Sequence, residues 1–183
     1  MTLPKPVLLL AAIAPVAVFV VLAIALAFGL NNDPAALPSV LVGKPAPIFA
    51  LGPVRPNDTG FSTADITGKV AVINVFGSWC SACRLEHPTL MDLAAQGVTI
   101  HGIDWKDDPA DGAAWLARFG DPYARVGNDQ SGRLALDLGV SGAPETFIID
   151  KAGRIRYKLV GPITPERWRD EMAPLIAQLE AGQ

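Results

Sequence analysis

The feature that most constrains the fold is a buried-strand pattern that runs directly into a closely spaced cysteine pair. Residues 70–76 form a nearly continuous apolar run rich in β-branched side chains, which is typical of a strand covered on both faces. Trp79, Cys80 and Cys83 follow at once, at the start of a predicted helix over residues 80–95. This order predicts that the cysteines lie where a central strand ends and a helix begins, with the attacking sulfur exposed there.

The spacing of the cysteines indicates chemistry rather than a structural cross-link. The chain of 183 residues contains no others, and a bridge between neighbours three positions apart closes too short a loop to stabilise a fold. At a helix start, unpaired backbone N–H groups and the helix dipole favour a thiolate and lower the thiol pKa. We therefore predict that Cys80 attacks, or is attacked by, a partner sulfur and that Cys83 resolves the mixed disulfide.

A metal site is the main alternative for this cysteine pair. Cys80, Cys83 and His87 lie at helical spacing and could supply three ligands for zinc or copper. A fourth ligand is not evident, because His101, the only other histidine, lies in an apolar strand and is expected in the core or at a sheet edge. We favour the redox interpretation and predict no metal site.

The N-terminus predicts a membrane anchor. Residues 7–30 contain no charged side chain and would span about 36 Å as a helix, enough to cross a bilayer. Lys5 precedes this segment and Asp33 follows it, so residues 1–6 are expected in the cytoplasm and the rest in the periplasm. The alternative is a cleaved signal peptide, with a small-residue site at residues 25–27 and a mature start near Phe28.

The remaining pattern predicts an α/β sandwich with a central mixed sheet. A linker over residues 31–43 leads into a domain over residues 44–183. Predicted strands cover residues 48–51, 70–76, 98–104, 124–126, 146–150 and 155–159, with a loop over 52–60. Further predicted helices cover residues 108–119, 134–138 and 164–180, with Pro174 kinking or breaking the last. The first strands are joined by parallel crossover connections and the last two by a hairpin. This arrangement places helices on both faces of the sheet.

The charge distribution argues against nucleic-acid binding. The net charge is −3 and the sequence pI is about 5.3. Nucleic-acid binding would require clustered Lys and Arg side chains, which the sequence does not show.

Three motifs together resemble a known family. They are Gly-Lys-Pro-Ala-Pro at residues 43–47, Asn-Val-Phe-Gly-Ser-Trp-Cys-Ser-Ala-Cys-Arg-Leu-Glu-His-Pro at 74–88, and Gly-Val-Ser-Gly-Ala-Pro-Glu-Thr-Phe at 139–147. The chain resembles the thioredoxin superfamily, and within it the TlpA-like cytochrome c biogenesis thiol:disulfide interchange proteins of the CcmG/DsbE type. The third motif is the most specific, because Trp-Cys-x-x-Cys is shared widely.

The resemblance implies a thioredoxin-like three-layer sandwich, with no cofactor besides the redox-active disulfide. It implies that Pro144 is a cis-proline facing the disulfide, that the Ala143 backbone pairs with an extended substrate, and that Trp79 packs beside the disulfide. Glu86 and Glu145 are implied as acidic groups for proton transfer and thiol pKa. From spacing alone, Glu86 would be a solvated helix residue and Glu145 a loop charge.

Two positions depart from the family pattern. Asn74 stands where thioredoxin has a buried aspartate, and an amide cannot relay a proton, which moves that expected role to Glu86 or Glu145. Ser141 stands where this group usually has tyrosine, which leaves the shape of the substrate groove open.

The resemblance also implies partners. The expected function is a reductant that keeps the haem-binding cysteines of apocytochrome c, or a maturation partner thiol protein, reduced. A membrane donor of the DsbD/CcdA type would reduce it again, with the protein held as a single-pass inner-membrane protein facing the periplasm. The alternatives are a TlpA-like reductant for another exported client and a copper or zinc chaperone using Cys80 and Cys83. A peroxidase is disfavoured because a Pro-x-x-x-Thr-x-x-Cys pattern is missing.

Overall fold

The computed structural model describes residues 5–30 and 41–182, and within the first range it describes side chains for residues 14–27. The chain divides into two units, Met1–Leu37 and Pro38–Gln183. In the first unit, helix α1 covers Lys5–Leu30 and contains Pro15. Within the described part of the chain, no helix combines the length and the apolar character that crossing a membrane requires. Most of the predicted linker lies outside the described residues.

The second unit is built on a seven-stranded mixed sheet. Its strands are β1 (Ala50–Pro53), β2 (Phe61–Ser62), β3 (Ala71–Phe76), β4 (Ile100–Trp105), β5 (Tyr123–Asp129), β6 (Glu145–Ile149) and β7 (Ile155–Val160). They lie in the order β2-β1-β5-β4-β3-β6-β7. The pairs β3–β4 and β4–β5 are parallel, and the remaining pairs are antiparallel. The predicted mixed sheet is confirmed.

Helices cover both faces of this sheet. They are α2 (Thr63–Ile66), α3 (Ser81–Ala95), α4 (Pro109–Phe119), α5 (Arg133–Asp137), α6 (Pro165–Arg167) and α7 (Ala173–Glu180), with a π-helical segment over Trp168–Met172. The side chains of β3 are all buried and alternate between two hydrophobic clusters, as a two-residue period requires. Val72 and Phe76 join the cluster of α3, α4 and α7, whereas Ile73 and Val75 join that of α2 and α5. The three-layer arrangement is thereby confirmed.

The structure differs from the sequence prediction at several short elements. Strand β2 and helix α2 were not predicted, because two residues of strand and four of helix are too short to show a hydrophobic period. Strand β1 includes residues 52 and 53, which the sequence assigned to a loop, and β5 is longer than predicted.

The predicted interruption of the last helix is confirmed. The π-helical segment Trp168–Met172 ends just before α7, which has Pro174 in its first turn. Proline lacks the N–H that would bond to the carbonyl four residues earlier, so a regular α-helical ladder cannot pass through this point.

Candidate active site at the Cys80–Cys83 disulfide

The two cysteines lie at the predicted place, where β3 ends and α3 begins. They form a disulfide. Cys80 is the N-cap residue of α3, and its Sγ accepts a hydrogen bond from the Cys83 backbone N–H at 3.0 Å. That N–H is one of the donors left unpaired at a helix start, so it stabilises negative charge on Sγ once the disulfide opens.

The sulfurs are more covered than the sequence led us to expect. We expected an exposed attacking sulfur, but Cys80 is 5% exposed and Cys83 is 1% exposed. The Ala143 carbonyl oxygen lies 3.3 Å from Cys80 Sγ and covers it from the neighbouring loop. Cys80 is the less covered of the two, and its role as the first sulfur to react stays a prediction.

The loop before β6 forms the opposite wall of the site. The Ala143–Pro144 peptide bond is cis, as the resemblance implies. Strand β6 runs antiparallel to β3, with Glu145 beside Val75, so the start of β6 and the end of β3 meet at one edge of the sheet. Ala143 is half-buried, which leaves part of it available at the surface beside the disulfide.

Trp79 lies next to Cys80 and is 52% exposed. Its indole packs against Trp105, with ring centroids 5.7 Å apart, and donates its Nε1–H to the Trp105 carbonyl oxygen at 3.2 Å. The ring folds back over Gly77, where a Cβ would lie 2.6 Å from Trp79 Nε1. Packing of Trp79 against the disulfide itself stays a prediction.

Glu86 belongs to a buried polar network on α3, so its interpretation as a solvated helix residue is wrong. It is 1% exposed, and its carboxylate accepts hydrogen bonds from Asn74 Nδ2 and the Ile163 N–H, both at 2.8 Å. Asn74 also donates to Thr146 Oγ1 and accepts from the Tyr123 hydroxyl. Burial raises the pKa of Glu86 to about 7, although both hydrogen bonds oppose the shift.

Glu145 is fully buried at the start of β6, so its interpretation as a loop charge is also wrong. One carboxylate oxygen accepts from the N–H and hydroxyl of Ser141 and from the Gly142 N–H. The other forms an ion pair with Lys158 Nζ at 3.0 Å. Lys158 also donates to the Gly139 carbonyl oxygen, so Glu145 and Lys158 together hold the loop that leads into the cis-proline.

The histidines have partners other than the cysteines. His87 Nε2 hydrogen-bonds to the Gly120 carbonyl oxygen, and its ring meets the edge of Trp115. His101 is buried and stacks on Phe61, as expected for a core position, and burial lowers its pKa to about 4. Among the residues that the structure describes, no three His, Cys, Asp or Glu side chains form a group that could hold a metal ion.

Sequence reasoning missed two residues of the site. Asp107 accepts hydrogen bonds from Ser78 beside the cysteines, and Lys158 pairs with Glu145. Asp107 follows a predicted strand, and the carboxyl ends of neighbouring parallel strands lie at one edge of the sheet. Its place near the cysteines could therefore have been predicted. The pairing of Lys158 depends on the hairpin register and has no local signal.

Comparison with known proteins agrees with this geometry. The Redoxin family model matches residues 41–173. The chain belongs to the Redoxin family. It is 48% identical over 165 residues to the thiol:disulfide interchange protein DsbE of Pseudomonas aeruginosa, covering 90% of this chain and 92% of the relative. It is 50% identical over 161 residues to the DsbE of Pseudomonas fluorescens biotype C, covering 88% and 90%.

A solved structure gives the same assignment. The crystal structure of a DsbE-type thiol:disulfide interchange protein from Chlorobium tepidum matches with a TM-score of 0.60 and 29% identity, covering 74% of this chain and 96% of that one. The family, these relatives and the disulfide at the start of α3 identify the chain as a thiol:disulfide interchange oxidoreductase of the DsbE group.

Proposed function

We propose that this oxidoreductase is a reductant in cytochrome c maturation. It keeps the haem-binding cysteines of apocytochrome c, or those of a maturation partner thiol protein, in the dithiol form. The observation that supports this most is the pairing of Cys80 with the Ala143 loop: a disulfide at a helix start faces a backbone edge where an extended peptide can align. A client cysteine pair in an unfolded chain suits such an edge.

The reaction conserves two electrons. The Cys80 thiolate attacks one sulfur of the client disulfide, forms a mixed disulfide and releases a client thiolate. Cys83, as a thiolate, then attacks Cys80 Sγ, which releases the second client thiolate and leaves the Cys80–Cys83 bond. The client thiolates take up two protons. A membrane dithiol donor of the DsbD/CcdA type returns two electrons and regenerates the reduced pair.

Glu86 is the proposed proton acceptor for Cys83. It follows Cys83 by one turn of α3, so the two side chains share a helix face. A carboxyl with a pKa of about 7 can both accept and release a proton near neutral pH. Glu145 suits this role less, because three hydrogen-bond donors and Lys158 already occupy its carboxylate.

The N-terminal segment is the proposed inner-membrane anchor, with the redox domain in the periplasm. Helix α1 is uncharged from residue 7 onward. An anchor raises the effective concentration of the redox domain near membrane-bound assembly factors and near a membrane electron donor.

Changing Cys83 to Ser tests the proposed function. Because Cys80 can attack but the mixed disulfide can no longer be resolved, clients should stay bound through Cys80. We expect mass spectrometry of these adducts, after acid trapping, to recover apocytochrome c or a maturation thiol protein. The double variant Cys80→Ser/Cys83→Ser is the control and should recover neither.

A second measurement checks the direction of electron flow. Cys80→Ser should abolish accumulation of c-type cytochromes, and an added small thiol should partly restore it. A broad mixture of exported proteins on Cys80 of the Cys83→Ser variant would instead identify a general reductase and overturn the proposal.

A further inference from the structure

The turn that carries the nucleophile is held by a neighbouring loop of the sheet. This active-site turn, residues 77–80, joins β3 to α3, and the Cys80 N–H donates to the Gly77 carbonyl oxygen at 3.0 Å. The segment over residues 105–108 runs from the last residue of β4 to the N-cap of α4, and it lies at the same sheet edge because β3 and β4 are parallel neighbours. We call residues 105–108 the supporting loop.

Asp107 binds the active-site turn with both of its carboxylate oxygens. One accepts the Ser78 backbone N–H at 2.5 Å. The other accepts the Ser78 hydroxyl at 3.0 Å and the Asp108 N–H, also at 3.0 Å. Asp107 is buried and Ser78 is half-buried, so these bonds are partly shielded from water, which strengthens a charge-assisted hydrogen bond relative to a fully exposed one.

The supporting loop is itself fixed in an uncommon backbone conformation. Lys106 has a left-handed φ of 49°, which a non-glycine residue adopts only where its surroundings impose it. Its N–H donates to the Asp129 carbonyl oxygen at 3.0 Å. Asn128 Nδ2 donates both to the Asp107 carbonyl oxygen and to Asp104 Oδ2. These hydrogen bonds to Asn128 and Asp129 of β5 fix the loop in the position from which Asp107 binds Ser78.

A second contact ties the same two segments together. Trp79 donates its indole N–H to the carbonyl oxygen of Trp105, at the first position of the supporting loop. The two residues directly before Cys80 are therefore both bound to this loop. These contacts determine where Cys80 Sγ lies. The sulfur is 3.0 Å from the Cys83 backbone nitrogen and 3.3 Å from the Ala143 carbonyl oxygen.

We infer that Asp107 is a positioning residue for thiol–disulfide interchange, which acts through Ser78 to hold Cys80 at the N-cap of α3. The inference rests on Cys80 being the attacking thiol, as in the proposed function, and does not depend on the client. Asp107 carries a negative charge, so its direct electrostatic effect on a nearby thiolate is unfavourable. Its positioning effect is favourable, because it keeps the sulfur beside the helix N–H donors. The two effects have opposite signs, and experiment can separate them.

The test measures how fast iodoacetamide alkylates the reduced full-length protein in detergent between pH 5 and pH 9. Peptide mass mapping assigns the alkylated residue, and the rate compared is that of Cys80. Ser78→Ala removes the hydroxyl bond without changing charge and should lower the rate at pH 7 by about threefold, with Ser78→Thr restoring it. Asp107→Asn should lower the rate by about tenfold and raise the apparent thiol pKa.

Asp108→Asn is the matched control. It removes the same charge one residue away, from an exposed side chain that caps α4 through the Ala110 N–H and forms no hydrogen bond with the turn in the described structure. We expect its alkylation profile to follow that of the unchanged protein. If Asp107→Asn speeds alkylation, or behaves like Asp108→Asn, the inference is overturned.

The Ser78→Ala variant decides the question if Asp107→Asn fails to fold. An alkylation profile unchanged by Ser78→Ala would then contradict the positioning role. The outcome is separable from the proposed function, because alkylation needs no client. A general reductase identified by the trapping experiment would leave the expected alkylation rates as they are.

Discussion

At the residue scale, two buried carboxyl groups make the free energy of unfolding depend on pH. Asp104, on β4, lies under α4 and accepts a hydrogen bond from Asn128 at 2.9 Å. Burial raises the pKa of Asp104 to about 8, the Asn128 bond opposes the shift, and the nearby Asp107 and Asp108 add to it. Burial likewise raises the pKa of Glu86 to about 7. Both groups are more readily protonated in the folded protein than in the unfolded chain.

Asp104 should therefore make the protein less stable as the pH rises. Between its unfolded pKa of 3.8 and its folded pKa of about 8, the folded state holds one proton more than the unfolded state. The free energy of unfolding should fall over this window by at most about 1.4 kcal/mol per pH unit from this group. Asp104→Asn should remove that part of the slope, as measured by urea denaturation at pH 5, 6, 7 and 8.

Glu86→Gln is the matched comparison. In this variant the free energy of unfolding should depend on pH differently from the unchanged protein only below about pH 7, the pKa of Glu86. The contribution of Asp104 continues to about pH 8. A slope between pH 7 and pH 8 that Asp104→Asn leaves unaltered would contradict the assignment.

The residues whose position could be predicted from sequence are those with a local signal. Cys80 and Cys83 follow a strand pattern and open a helix, and both facts are visible within a few residues. The burial of Glu86 could also have been predicted from the sequence, because Cys83, Glu86 and Leu90 share one helix face. The ion pair between Glu145 and Lys158 could not have been predicted, because it depends on the register of two paired strands, which the local sequence does not show.

At the element scale, α4 packs closely on the sheet through a glycine. A Cβ at Gly112 would lie 2.3 Å from Asp104 Oδ2, closer than non-bonded atoms can approach. Glycine usually weakens a helix interior by about 1 kcal/mol relative to alanine. Its presence here is explained by the carboxyl group beneath it.

Gly112→Ala should therefore destabilise the protein by about 1–3 kcal/mol, because the added methyl group forces α4 away from β4. The measurement is the free energy of unfolding by urea. In the double variant Asp104→Ala/Gly112→Ala the obstructing carboxyl is gone, so the loss should be smaller than the sum of the two single variants. If Gly112→Ala stabilises the protein, as alanine does in an open helix, the close packing described here is wrong.

Element boundaries show which patterns carry information. The long elements β3, β4, α3 and α4 were predicted, because each has a signal within its own residues, such as the nearly continuous apolar run of β3. Strand β2 exists only through its pairing with β1, where Ala50 lies opposite Ser62, and its own two residues cannot show a period.

At the scale of the whole molecule, the three-layer architecture followed from the order of elements, but the strand order did not. Connectivity predicts parallel crossovers and a late hairpin. The position of β1 beside β5, at the side of the sheet away from β6, depends on contacts between segments about 75 residues apart.

The proposed anchor makes a prediction about the intact protein. If residues 7–30 stay attached and span the bilayer, the full-length chain should remain in the membrane pellet after alkaline carbonate extraction. Its N-terminal sequence should begin at or next to Met1. A soluble protein that begins near Phe28 would show that the segment is a cleaved signal and would remove the anchor from the proposed function.

The active site draws on segments that are remote in the sequence. Cys80 follows β3, whereas the Ala143 carbonyl beside it precedes β6, 63 residues later. Until these strands pair, the Ala143 carbonyl is not held beside Cys80. We expect the Cys80 thiol to reach its full client selectivity only when β3 and β6 have paired, because that pairing assembles the peptide edge along which a client would align.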